Sequence, residues 1–122
     1  MRILIIDDED DIRSISRLAL GRVGGMDVTD ASSGKDGIAK AVAEAPDAIL
    51  LDVMMPEQDG PATLLLLKAD PRTAGIPVIF LTAKAMASEL ERLRALGAAG
   101  VLTKPFDPMT LAASVRALLG AR

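Results

Sequence analysis

The 122-residue sequence contains no cysteine and no histidine. The first absence excludes disulfides, thiol nucleophiles and thiolate metal ligands, and the second excludes an imidazole base or ligand. Any chemistry must therefore come from carboxylates, hydroxyls and lysine. Such groups suit a hard cation with oxygen ligands, Mg²⁺ or Ca²⁺, far better than zinc or copper.

Aromatic residues and long apolar runs are also scarce. Phe80 and Phe106 are the only aromatics, which leaves no stacking platform for single-stranded nucleic acid. The isoelectric point is near 4.9 and the basic residues are scattered, so we expect no direct nucleic-acid binding. Apolar stretches such as Ile76–Leu81 fall far short of the roughly 18 residues that span a bilayer, and Ile3–Ile6 is too short for a signal peptide. The sequence predicts a cytoplasmic protein without membrane contact.

The net charge of −3 conceals one concentrated feature, the unbroken acidic run Asp7–Asp11. Its two parts differ in context. Asp7 and Asp8 follow an apolar segment and are candidates for a metal site, whereas Glu9, Asp10 and Asp11 favour the positive N-terminus of a following helix. We therefore predict that only the first pair contributes to a site and that the other three residues cap the helix.

Short apolar runs alternate with segments of helical periodicity. Continuous apolarity indicates strands buried on both faces, as in a parallel sheet covered by helices. The predicted strands are Ile3–Ile6, Met26–Ala31, Ala48–Leu51, Val78–Leu81 and Gly100–Thr103. Helical spacing is seen at Ile12, Ile15, Ala19 and Val23, at Leu90, Leu93 and Gly97, and at Leu111, Val115 and Leu118, and two more helices are predicted at Lys35–Glu44 and Ala62–Ala69. The pattern predicts an α/β fold, one domain over residues 1–122 in which a βα unit occurs five times.

Polar side chains follow four of the five predicted strands: Asp7 and Asp8, then Asp52, Thr82 and Lys104. The carboxyl ends of parallel strands meet at one edge of a sheet, where ligands bind in such folds. Three carboxylates there repel one another, so they either take up protons or bind a cation, and Mg²⁺ fits best. Asp52 can then accept a phosphoryl group as an acyl phosphate, with Lys104 and Thr82 contacting its oxygens. The constellation predicts a phosphorylation site and not a turnover enzyme.

These residues stand in motifs that resemble the response regulator receiver domain, the CheY-like family. The motifs are Ile3–Glu9, Leu51–Pro56, Asp59–Gly60, Leu81–Lys84 and Lys104–Phe106. The resemblance covers essentially the whole chain. It implies a flavodoxin-like, doubly wound, five-stranded parallel sheet in the order 2-1-3-4-5 and a cis peptide at Lys104–Pro105.

The resemblance also implies roles for single residues. Asp52 would be the phosphoacceptor, and Thr82 and Lys104 would contact the phosphoryl group. The implied Mg²⁺ ligands are Asp8, Asp52, the backbone carbonyl of Met54 and, at or near the metal, Asp7. The donor would be a histidine on a partner kinase or phosphotransfer protein, because this chain has none. Phosphorylation would switch the binding of a downstream protein whose identity the sequence does not give.

One position departs from the family. Its members usually carry Tyr or Phe three residues before the lysine, and the ring moves inward on phosphorylation; here that residue is Val101. Valine has few rotamers and little area to move. We therefore hypothesise that the signal leaves through displacement of the Thr82–Ala87 loop.

The four consecutive leucines Leu64–Leu67 cannot all face one buried stripe of a helix. We expect about half of them to be exposed. Core packing explains the others, and the exposed pair is a candidate docking surface or weak homodimer contact.

Two other functions remain open. The first is an Asp-nucleophile phosphatase of the haloacid dehalogenase type, but that class has a second Asp two residues after the nucleophile, where this chain has Met54, and we find no cap domain. The second is an interaction module on the same fold that works without phosphorylation.

Overall fold

The computed structural model describes residues 1–120. The strands are β1 (Arg2–Ile6), β2 (Asp27–Ala31), β3 (Ala48–Asp52), β4 (Val78–Thr82) and β5 (Gly100–Thr103). The helices are α1 (Asp10–Arg17, continued by a π-helical segment Leu18–Val23), α2 (Gly34–Glu44), α3 (Gly60–Ala69), α4 (Ala87–Ala95) and α5 (Leu111–Gly120). The predicted alternation of five strands and five helices is confirmed. Within the described residues, no helix has both the length and the apolarity to cross a membrane.

The five strands form one parallel sheet in the order β2-β1-β3-β4-β5, as predicted. The order reverses between β1 and β3, and the crevice beyond their carboxyl ends is where such sheets bind ligands. Ile6 pairs with Leu51 in the β1–β3 register, so Asp7 and Asp52 follow at the same level. The topology thus brings together two carboxylates that are 45 residues apart in sequence.

The sheet is buried on both faces, which explains the unbroken apolar strands. Every residue of β3 and β4 is buried. Alternate strand residues enter two separate cores. One contains Leu4, Ile6, Ile49, Leu51 and Phe80 with Leu64, Leu67 and Leu93 of α3 and α4. The other contains Ile3, Ile5, Leu50, Ile79 and Leu81 with Leu20, Leu111 and Val115.

Some predicted boundaries were wrong by one to three residues. β2 begins at Asp27, because the N–H of Met26 instead donates to the carbonyl of Leu20 across a turn. α3 begins at Gly60, two residues earlier than predicted, because the Asp59 carboxylate accepts the N–H of Ala62 and caps the helix. α4 begins three residues before Leu90 and ends two before Gly97, and α5 extends two residues beyond Leu118, while the other differences amount to one residue.

The leucine run of α3 divides as expected. Leu64 and Leu67 are buried, whereas Leu65 and Leu66 are 60% and 49% exposed. The proposed docking or dimer role of the exposed pair stays a prediction.

The first helix differs most from its predicted buried stripe. The helix is present, but Ile15 and Val23 are 41% and 48% exposed, while Ser16, Ala19 and Leu20 are buried. The helix widens after Arg17, where the N–H of Gly24 reaches back five residues to the carbonyl of Ala19. The stripe was predicted from a constant helical period, which does not hold through the π-helical segment that contains Val23.

Ser16 lies fully buried in α1, and its hydroxyl has no hydrogen-bond partner within residues 1–120. A buried hydroxyl without a partner costs free energy, and alanine is also the better helix former. We expect Ser16→Ala to raise the free energy of unfolding by about 1 kcal/mol, measured by urea unfolding followed by circular dichroism. The control is Ser14→Ala on the exposed side of the same helix, which reports the propensity gain alone. Equal gains in the two variants would show that the buried hydroxyl carries no penalty.

Candidate functional site

Asp7 directly follows β1 and is almost fully buried, with 1% of its surface exposed. Its N–H donates to the carbonyl of Ala31 on β2, at 3.1 Å. Its Oδ1 accepts the N–H of Glu9, at 2.9 Å. Its Oδ2 has no hydrogen-bond partner among residues 1–120, although it lies 3.2 Å from the ammonium nitrogen of Lys104. One buried carboxylate oxygen of Asp7 therefore remains available for a ligand.

Asp52 is the last residue of β3 and is 4% exposed. Its Oδ1 lies 3.1 Å from Lys104 Nζ. The start of α3 packs directly behind it, because a Cβ placed on Gly60 would lie only 2.4 Å from the Asp52 carbonyl oxygen. Only glycine permits this approach, which explains the Asp59–Gly60 turn before α3.

Lys104 follows β5 and brings one ammonium group to three carboxylates. Besides Asp7 and Asp52, it lies 3.5 Å from Glu9 Oε1. Only 14% of the lysine side chain is exposed. The peptide between Lys104 and Pro105 is cis, as the family resemblance implied.

The carboxylates form a cluster at this edge of the sheet. Asp7, Asp8, Glu9 and Asp52 each offer one carboxylate oxygen, and these oxygens all lie within 4.8 Å of one another. A donor set made only of oxygens, with one of them buried and without a hydrogen bond, fits a hard divalent cation. Asp8 is exposed, so the cluster is open to solvent on one side.

Glu9 requires a correction. The sequence assigned it, with Asp10 and Asp11, to capping of the first helix, and it does occupy the residue before α1. Its side chain makes no capping hydrogen bond, however, and joins the carboxylate cluster beside Lys104. Asp10 and Asp11 do lie in the first turn of α1.

The crowded carboxylates titrate abnormally. Burial, and then the neighbouring charge of Asp7, raise the pKa of Asp52 to about 6 against the contribution of Lys104. Burial also raises the pKa of Asp7. Burial alone would lower the pKa of Lys104, but the carboxylates of Asp52 and Asp7 outweigh it and raise this pKa. The lysine therefore stays charged. Its single positive charge faces two buried aspartates, so a second positive charge is needed to balance both carboxylates.

Thr82 ends β4 and is buried, with its hydroxyl oxygen accepting the N–H of Lys84 at 3.1 Å. The segment that follows, Ala83–Ser88, is exposed throughout. Val101 is buried in the core that contains Leu93 and Phe80. Met54, two residues after Asp52, is 65% exposed at the rim of the site.

Residues 3–116 match the family described as the response regulator receiver domain. The chain belongs to this family. Receiver domains of this kind act in two-component signalling, interact with kinases and downstream effectors, and are generally not turnover enzymes.

Individual relatives agree with the family match. The DNA-binding dual master transcriptional regulator RpaA of Synechocystis sp. is 44% identical over 97% of this chain, which covers 48% of RpaA. Protein PilG of Pseudomonas aeruginosa is 34% identical over 96% of this chain and 86% of its own length. The solved structure of the chemotaxis protein CheY4 of Vibrio cholerae has a TM-score of 0.88 and 29% identity over 96% of this chain and 97% of CheY4. The receiver spans about half the length or less of the first curated relatives it matches.

The structure brings together Asp7, Asp8, Asp52 and Lys104, places Thr82 at the end of the neighbouring β4, and adds two residues. Glu9 joins the carboxylate cluster, and the Arg13 side chain donates to the backbone carbonyl of Asp7 at 2.7 Å. Glu9 directly follows Asp8 in the sequence, which was a signal that it could join the cluster. An acidic residue just before a helix is more commonly assigned to the helix N-terminus, so this signal was missed. Arg13 gave no signal, because a basic residue in the second turn of a helix is ordinarily a solvated charge.

Proposed function

We propose that residues 1–122 form one receiver domain that accepts a phosphoryl group on Asp52 from a histidine of a partner kinase or phosphotransfer protein. The observation that carries the proposal is the pairing of Asp52 Oδ1 with Lys104 Nζ at 3.1 Å, beside the unbonded Asp7 Oδ2. An aspartate held in this way is shielded from water. It also stays close to the Lys104 ammonium group, which would contact an oxygen of the incoming phosphoryl group.

Mg²⁺ fits the carboxylate cluster, with Asp7, Asp8, Asp52 and the backbone carbonyl of Met54 as the proposed protein ligands. Bound there, it would supply positive charge to the Asp52 carboxylate and to the transferring phosphoryl oxygens. Two buried aspartates that share the single positive charge of Lys104, together with oxygen-only donors, support this choice.

The chain's own residues account for the rest of the transfer. A carboxylate oxygen of Asp52 attacks phosphorus, the bond from phosphorus to the donor histidine nitrogen breaks, and its electron pair returns to the imidazole. Lys104 exchanges its contact with Asp52 for a phosphoryl oxygen. The Thr82 hydroxyl donates a hydrogen bond to another phosphoryl oxygen. Hydrolysis of the acyl phosphate resets the domain, so the only reactions it catalyses are its own phosphorylation and dephosphorylation.

The same threonine links the site to the surface. Its oxygen holds the N–H of Lys84, so turning Thr82 toward a phosphoryl group would release the exposed Ala83–Ser88 segment. Val101 is buried and short, which favours this loop over a moving ring as the route of the signal. Displacement of the loop would change the binding of a downstream protein.

The alternatives are less well supported. Relatives whose names state a function are transcriptional regulators, and Met54 stands where a haloacid dehalogenase-type phosphatase requires an aspartate. A phosphorylation-independent module does not explain why Asp7, Asp52 and Lys104 are kept buried together. The cytoplasmic location, the absence of nucleic-acid binding by this chain and a weak homodimer stay predictions.

The test is to incubate the protein with acetyl phosphate, with and without Mg²⁺, and to measure its intact mass. We expect a single Mg²⁺-dependent phosphoryl adduct that is absent from Asp52→Asn. In parallel, beryllofluoride should shift the backbone NMR signals of the Thr82–Ala87 loop. An adduct that persists in Asp52→Asn, or no adduct at all, would contradict the proposed function. Shifts elsewhere but none in the loop would contradict only the proposed route of the signal.

A further inference from the structure

We propose that Arg13 is a positioning residue that holds the β1–α1 loop, residues Asp7–Glu9, in the conformation that binds Mg²⁺. The inference rests on the proposed function, because it concerns the same cation. Arg13 lies in α1, outside the carboxylate cluster, and only 16% of its side chain is exposed. Its guanidinium contacts residues at the ends of β1 and β2 and at the start of α1.

The contacts of this guanidinium are directed at the backbone and the ends of neighbouring elements. One terminal nitrogen donates to the carbonyl oxygen of Asp7 at 2.7 Å, just beyond β1. The other donates to the carboxylate of Asp10 at the start of α1. Nε lies 3.9 Å from Asp30 near the end of β2. Arg13 therefore connects the ends of two adjacent strands to the first turn of the helix that follows the cluster.

The hydrogen bonds of Asp7 show what this contact does. Its N–H is held by Ala31 of β2, its Oδ1 by the N–H of Glu9, and its carbonyl by Arg13. With these three groups occupied, the remaining carboxylate oxygen is fixed in place near Lys104. Loss of the Arg13 contact would free the carbonyl of Asp7, and the peptide between Asp7 and Asp8 could rotate. The cation would then have to reorder two of its proposed ligands, and outer groups that orient ligands typically account for tenfold or more in metal affinity.

The charge of Arg13 and its positioning of Asp7 predict opposite changes in Mg²⁺ affinity when Arg13 is replaced, so the two effects can be told apart. Arg13 is a positive charge close to a cation site, so on charge alone its removal should tighten Mg²⁺ binding. If its role is to position Asp7, removal should weaken binding despite the lost repulsion.

Arg17 provides the matched control. It lies one turn further along, pairs with the same Asp30 at 3.5 Å, and is half exposed. Among the described hydrogen bonds and ion pairs, none joins it to the β1–α1 loop. Arg17→Gln thus removes a positive charge and a contact with Asp30 without touching Asp7.

The experiment measures Mg²⁺ dissociation constants by isothermal titration calorimetry for the wild type, Arg13→Gln, Arg13→Lys and Arg17→Gln. We expect Arg13→Gln to weaken binding about tenfold, Arg13→Lys to fall between it and the wild type, and Arg17→Gln to stay within twofold or bind more tightly. With acetyl phosphate as donor, the Mg²⁺ concentration giving half the maximal rate should rise in Arg13→Gln. The maximal rate itself should stay within about threefold, because Asp52 and Lys104 are untouched.

Each outcome bears on a specific statement. Mg²⁺ binding in Arg13→Gln that equals or exceeds the wild type would overturn the positioning role while leaving the metal site intact. A wild type that binds no Mg²⁺ would overturn the metal site, and the positioning role with it. If Arg13→Gln does not fold, Arg13→Lys decides, and wild-type affinity in that variant would overturn the inference. A lower maximal rate with unchanged half-saturation would also overturn it, because that result indicates general damage to the site.

Discussion

Replacing Lys104 with methionine should lower the free energy of unfolding by about 3 kcal/mol at pH 7.5 in buffer containing a metal chelator. The lysine ammonium lies 3.2 Å from Asp7 Oδ2 and 3.1 Å from Asp52 Oδ1, and both carboxylates are almost completely buried. Methionine preserves much of the apolar stem but leaves two buried negative charges facing each other. Removing one member of a buried ionic group is strongly destabilising for this reason.

The effect should depend on pH and on Mg²⁺. At pH 5 Asp52, whose pKa is about 6, can take up a proton and relieve the repulsion, so the deficit of the Lys104→Met variant should shrink. Saturating Mg²⁺ should also reduce it by supplying positive charge to the same carboxylates.

Urea unfolding followed by circular dichroism is the appropriate measurement, because the chain contains no Trp or Tyr. Lys35→Met is the control: Lys35 is exposed and forms no ion pair with any described residue, so this variant should stay within about 0.5 kcal/mol of the wild type. A Lys104→Met variant as stable as the Lys35→Met variant at pH 7.5 would show that the lysine does not compensate the buried charges.

The wild-type protein in chelator should become more stable as the pH falls from 7.5 to 5. Asp52 has a pKa of about 6 in the folded state, against 3.8 as its ordinary value. The folded protein therefore binds a proton that the unfolded chain does not yet bind, and this favours folding as the pH drops through 6. Between pH 7.5 and 5 the gain from Asp52 amounts to about 1.4 kcal/mol, one pH unit below its folded-state pKa, and Asp7 adds to it in the same direction.

This dependence is opposite to that of an ordinary ion-paired carboxylate. Asp70 and Glu89, on the surface, have pKa values lowered by Arg72 and Arg92, so they lose stabilising contacts only at more acidic pH. The window between pH 7.5 and 5 should therefore report on the buried pair.

Asp52→Asn provides the test of this assignment. The variant should be more stable than the wild type at pH 7.5, and the difference should largely disappear near pH 5, where the wild-type carboxyl is protonated. Stability measured at several pH values with and without Mg²⁺ checks both statements, since the ion should hold Asp52 charged and flatten the wild-type profile. A wild-type stability that falls steadily from pH 7.5 to 5 would contradict the raised pKa of Asp52.

Much of the fold could be read from the order of residues along the chain. Runs such as Ala48–Leu51 and Val78–Leu81 are apolar without alternation, and both strands prove to be buried on both faces. The polar residues that follow these strands could be assigned to one edge of the sheet, since consecutive βα units place all carboxyl ends on the same side. The strand order was implied by resemblance to the receiver family, because the spacing of strands along a sequence does not say which strands are neighbours.

Local errors occurred where tertiary contacts override local pattern. The predicted apolar stripe of α1 was wrong at Ile15 and Val23, and the error at Val23 arises because this residue lies in the π-helical segment that packs against α5. A Cβ on Gly24 would lie 2.5 Å from the Cβ of Ala112, so the close approach of α5 depends on this glycine. Helical periodicity measured along one segment cannot register a neighbour that is 88 residues away in sequence.

The sequence by itself determined which chemistry is available: without cysteine or histidine, only carboxylates, a hydroxyl and a lysine remain, and a phosphoryl group must come from another molecule. It also placed Asp7, Asp8, Asp52, Thr82 and Lys104 at strand ends. The tertiary structure alone decided that Glu9 faces Lys104 instead of capping α1, and that Arg13 holds the backbone of Asp7. Composition and spacing limit which residue types can meet, but the direction of a side chain is set by burial and by the partners that packing provides.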